Sequence, residues 1–105
     1  MGASNGTPRP RFSVSQAGYS SAGFQAILDE AISVGGEQIV LDTYEGIVDR
    51  LENDPGQFGE PLYHLPKLKL AIRCAAVAPL YVEYGLHDEK PVVLVRRILA
   101  LAANP

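Results

Sequence analysis

Asp54-Pro55-Gly56 divides this chain into two halves that obey different rules. Proline cannot donate a backbone hydrogen bond and disfavours helical geometry in the residue before it, so a helix arriving from the N-terminal side must stop there. Before this point apolar residues recur at helical spacing; after it they alternate at period two. The stretch Asp54, Pro55, Phe58, Gly59, Glu60, Leu62 and Leu65 therefore reads as a DPxxFGExLxxL turn that ends a helical half and opens a run of strands, with Phe58 folding back onto the core.

In the N-terminal half, residues 1–10 are rich in Gly, Ser, Asn and Pro and read as a flexible or loosely docked arm. Arg11-Phe12-Ser13-Val14-Ser15 alternates as a short first strand does. Gly18 to Ser21 supplies a turn and a serine N-cap. Phe24, Ile27, Leu28, Ala31 and Ile32 then mark the buried face of an amphipathic helix. Gly35 and Gly36 favour its end, because glycine accepts the left-handed conformation of a C-terminal cap. Val40, Tyr44, Ile47, Val48 and Leu51 define a second helix, with Asp42, Glu45, Asp49 and Glu52 on its solvated side. Two helices packed as a hairpin are expected.

In the C-terminal half, Leu68, Leu70, Ile72 and Cys74 fall on one side of a strand and Lys67, Lys69, Ala71 and Arg73 on the other. This spacing predicts one apolar and one basic face. Ala75 to Pro79 forms a connection, after which Leu80, Val82, Tyr84 and Leu86 alternate with Tyr81, Glu83, Gly85 and His87. Asp88-Glu89-Lys90-Pro91 is a polar turn, and the β-branched run from Val92 to Leu99 suits a central or well-covered strand. Because both alternating sets of that run are apolar, the pattern leaves open which of Arg96 and Arg97 faces outward.

The 105 residues suit one domain over 11–101 with a short tail at 102–105. A domain of this size buries roughly two thirds of the surface its unfolded chain exposes. No apolar run approaches the ~20 residues that cross a bilayer, and the N-terminus lacks a signal-like apolar segment, so a cytoplasmic protein with no membrane contact is expected. A single Cys74, with only His64 and His87 as further candidate ligands of its kind, speaks against a disulfide, a structural zinc site or a metal cofactor; no cofactor is expected. Cys74 reads as a small buried apolar residue. The net charge of −3 argues against a whole surface that grips nucleic acid. The charge is uneven, however: through Asn53 there are seven acidic against three basic residues, and from Asp54 onward five against six.

The order strand, helix, helix, then a strand meander resembles the RelE/ParE superfamily of small bacterial toxins from type II toxin–antitoxin pairs. The residues that carry the resemblance are the DP turn with Gly59 and Leu65, the strand pair around Arg73 and Val82-Glu83-Tyr84, and the final strand through Arg96-Arg97-Ile98. The resemblance implies an α+β fold, β-α-α-β-β-β, in which two N-terminal helices pack on one face of a small, mostly antiparallel twisted sheet. It also implies an antitoxin partner and a role in plasmid stabilisation, with DNA gyrase or the ribosome as target; a homodimer and a toxin–antitoxin hetero-oligomer both stay open.

Members that cut messenger RNA need a proton acceptor, a proton donor and cations for the charged transition state. Arg73 lies where an arginine is common, but Tyr81 stands where a basic residue is usual. Leu99-Ala100-Leu101-Ala102 replaces the His-Arg or Arg-Tyr pair that often ends the last strand. The catalytic candidates are thus Arg73, Tyr81 and His87, and a phenol with a pKa near 10 is a poor general base. The expectation is therefore binding rather than catalysis, with Lys67, Lys69, Arg73, Arg96 and Arg97 as a basic sheet face. The alternatives are a metal-independent, ribosome-dependent endoribonuclease and a non-toxic interaction domain.

Overall fold

A computed structural model describes residues 11–101; the expected N-terminal arm and the tail at 102–105 lie outside this range. The elements run β1 (Ser13–Gln16), α1 (Gly18–Ser33), α2 (Glu37–Asn53), the single turn α3 (Pro55–Phe58), β2 (Glu60–Leu65), β3 (Leu70–Val77), β4 (Leu80–His87) and β5 (Val92–Ala100). They form one five-stranded sheet in the order β1-β5-β4-β3-β2, parallel between β1 and β5 and antiparallel elsewhere. The α+β class and the helices on one sheet face agree with the expected architecture. Four strands follow the helices, because Glu60–Leu65 pairs with β3 as an edge strand that the turn motif conceals.

The helices end and pack as their sequences direct. Gly35 sits at φ 76°, and the Gly36 N–H returns to the Ala31 carbonyl at 2.8 Å, so a left-handed residue closes α1. Gly35→Ala should cost about 1 kcal/mol in urea unfolding, since a Cβ there meets no atom and only the backbone conformation is penalised. The start of α1 differs from expectation. Ala17, not a serine, occupies its N-cap, and the Ser21 hydroxyl donates to Gln16 Oε1. Ile32 is exposed and does not share the half-buried stripe of Phe24, Ile27, Leu28 and Ala31 that packs on the core. Phe24 stacks on Tyr44, whose ring centroid is 4.4 Å away, and this joins the two helices.

The core lies between helices and sheet. Val40, Ile47 and Leu51 of α2 meet Ala75, Leu80, Val82, Tyr84, Val93, Val95 and Ile98, all buried. A β-bulge in β5 makes this set possible. Tyr84 is opposite Val95 but Glu83 is opposite Arg97, so Arg96 is the extra residue. Strict alternation from Val95 would send Arg97 into the core; the bulge turns Ile98 inward and leaves both arginines on the uncovered face. The sequence ambiguity between Arg96 and Arg97 is thus resolved by an irregularity that period-two reading cannot see.

Candidate functional site

The expected basic face of Lys67, Lys69, Arg73, Arg96 and Arg97 is not assembled on one side of the sheet. Pro66 to Lys69 is the turn between β2 and β3, so Lys67 and Lys69 are not strand residues. Lys67 is exposed there. Lys69 adopts φ 55°, and its Nζ lies 3.2 and 3.3 Å from the Glu89 carboxylate oxygens. Leu70 and Ile72 point away from the helices and close over Gly85, where an added Cβ would lie 3.2 Å from Ile72 Cδ1. Arg73 therefore points to the opposite, helix-covered side, opposite Tyr84 across the strand pair.

Arg73 completes a polar lock beneath the DP turn. The Tyr84 hydroxyl donates to the Pro55 carbonyl at 2.7 Å and accepts the Gly59 N–H at 3.1 Å, while Arg73 Nη2 donates to the Gly59 carbonyl. Burial pushes the Tyr84 phenol above its ordinary pKa, and Arg73 beside it pulls in the other direction. On the outer side of the turn, Arg50 pairs with Asp54 at 2.9 Å and lies over the Phe58 ring, which stacks on Tyr84. Every named residue from Asp54 to Gly59 is thus bound into this structure. The lock holds the turn; it does not present Arg73 to a ligand.

The histidines are similarly engaged. His87 Nδ1 accepts the backbone N–H groups of Glu89 and Lys90 at 3.1 and 3.0 Å, which shapes the turn before β5. His64 Nε2 lies 2.7 Å from Asp88 Oδ2, so the edge strand is tied to that same turn. Neither stands beside Arg73 in a proton-transfer arrangement.

The uncovered sheet face gathers a different set. Arg96 Nη1 donates to the Tyr63 hydroxyl at 3.0 Å and lies 3.9 Å from Glu83 Oε1. Since β4 and β3 separate β5 from β2, this pair bridges the face. Arg97 is exposed and near enough to Tyr81 to act on its charge. The Tyr81 phenol is raised above its ordinary pKa chiefly by its hydrogen bond with Cys74, so still less of it is ionised and free to accept a proton near neutrality. Cys74 is half-buried on this face rather than in the main core.

Sequence spacing gave no signal for a second feature, an apolar groove of about 170 Å³ where three elements converge. Ile27, Glu30 and Ala31 of α1, Val34 after it, Val40 of α2, Pro79 of the β3–β4 turn and Ala100 of β5 line it. The Leu101 N–H bonds to the Pro79 carbonyl at 2.8 Å, fastening the end of the sheet to the hairpin tip at the groove. Val34 is 80% exposed, and Ile39 and Leu101 add further exposed apolar surface. Among the described residues no group of three or more metal-ligating side chains is assembled, and no helix is long and apolar enough to cross a membrane.

No family model and no curated protein matches the chain. Among solved structures, it is similar to a chain described as the chromosomal ParDE TA system from P. aeruginosa, with a TM-score of 0.61 and 15% identity. The likeness covers 88% of this chain and 98% of that one. At this identity what is shared is the overall architecture. The fold of this chain is ParE/RelE-like.

Proposed function

We propose that the chain is the toxin-like component of a bacterial type II toxin–antitoxin pair, acting in the cytoplasm by binding a target and held inactive by a cognate antitoxin. The fold likeness supports the class. The observation that carries binding over catalysis is the engagement of the candidate proton-transfer groups: Arg73 locks Gly59, His87 caps a turn, and Tyr81 holds its proton more tightly than a free phenol. The apolar groove offers a seat for an antitoxin segment by helix-in-groove contact. Arg96 and Arg97 on the uncovered face offer a separate surface for the target.

A ribosome-dependent endoribonuclease is the second reading, favoured by one observation: Tyr81, Arg96 and Arg97 share that uncovered face. Induced expression in a bacterial host, with protein, RNA and DNA synthesis followed by pulse labelling, tests both. The expected result is growth arrest with early loss of DNA synthesis, as a gyrase-type target predicts. Early loss of protein synthesis with cut messenger RNA would establish the nuclease instead, and normal growth with folded protein in a susceptible host would leave a non-toxic interaction domain.

A further inference from the structure

The groove described above lies in strongly one-signed surroundings. Between Arg11 and Arg50 the chain carries no Lys or Arg, while Asp29, Glu30, Glu37, Asp42, Glu45 and Asp49 all fall there. These six acids ride on α1 and α2, and all are exposed. Glu30 lines the groove itself, and Glu37 opens α2 three residues before the groove-lining Val40. The lining is otherwise apolar, and Val34 within it is 80% exposed.

We infer that the groove receives a basic, amphipathic peptide segment: a branched apolar side chain seated against Ile27, Val34 and Val40, with Lys or Arg nearby facing Glu30 and Glu37. This rests on the toxin–antitoxin reading, in which the antitoxin supplies the segment, and it fixes the segment's charge. An acidic segment would be repelled by every charged side chain on α1 and on the first three turns of α2; a basic one is attracted by all of them. The exposed apolar surface supplies affinity through burial, and the surrounding carboxylates supply orientation and discrimination.

Selection of a random-peptide display library against the full chain, followed by anisotropy titration of the enriched peptides, tests the inference. The expected peptides combine a branched apolar residue with Lys or Arg and bind more weakly as salt rises. Val34→Lys should weaken them about tenfold, as the loss of one buried apolar anchor predicts. Glu30→Gln should weaken them about threefold, the worth of one exposed charge contact. Both positions are exposed, so both variants should melt with the wild type. Enrichment of acidic peptides, or of peptides indifferent to both substitutions, overturns the inference, as does the absence of any enriched binder. Growth arrest is read separately. Arrest with acidic peptides in the groove defeats the charge assignment alone, whereas basic peptides in the groove of a harmless protein uphold the groove chemistry and defeat the toxin reading.

Discussion

Gly59→Ala is expected to lower the stability of this domain by about 3 kcal/mol, at the upper end of what overpacking costs. An added Cβ would lie 2.4 Å from the Cys74 carbonyl oxygen, 2.8 Å from the Tyr84 hydroxyl and 3.0 Å from the Cys74 carbonyl carbon. Two of those three atoms are backbone of the neighbouring strand, so no rotamer change relieves the clash. The turn must lift away from β3, and in lifting it loses the bonds from Gly59 to Tyr84 and Arg73. For a domain near this size each kcal/mol shifts the melting temperature by about 4–8 °C, so the variant should melt roughly 12–24 °C below wild type. Urea unfolding read by circular dichroism measures the difference. A loss under about 1 kcal/mol would show that the turn does not need this close approach.

The elements on either side of Gly59 differ in how far their sequences announce them. Val40, Ile47 and Leu51 fall at helical spacing and are all buried, and Leu80, Val82 and Tyr84 alternate and are all buried, because in both cases one periodic face meets the core. The first strand and the glycine-terminated helix are equally local events. What escaped periodic reading was set by contacts distant in sequence. Leu70 and Ile72 are buried as an apolar face should be, but on the side of the sheet away from the helices, since Arg73 is drawn to Gly59, fourteen residues earlier. Glu60–Leu65 is exposed at nearly every position, so no apolar alternation marks it as a strand; its pairing with β3 does. The Arg96 bulge reverses the sidedness of β5 in mid-strand. The groove joins residues from Ile27 to Ala100 that share no local pattern. The likeness to a toxin family was legible because element order survives such irregularities, whereas the placement of individual basic side chains depends on them.

Arg73→Ala shows why that distinction matters for function. Removing the guanidinium leaves the Gly59 carbonyl without its side-chain donor and should cost about 2 kcal/mol, within the range of hydrogen bonds to charged groups. It also removes the influence that lowers the Tyr84 phenol, so that group should ionise at higher pH in the variant. The sign follows from linkage. The folded pKa of Tyr84 lies above its ordinary 10.0, so the folded state binds more protons than the unfolded one in alkali. Its contribution is present in full below pH ~10 and is lost as pH rises through the folded pKa. The variant, with a pKa raised further, should lose this contribution over a wider alkaline interval. In the growth experiment Arg73→Ala should weaken arrest only as far as it lowers the amount of folded protein. Arg97→Ala, at an exposed position on the uncovered face, should instead weaken arrest with the melting temperature unchanged if that face meets the target. Full stability of Arg73→Ala together with complete loss of arrest would reverse the assignment and move Arg73 from the lock beneath the turn to the target surface.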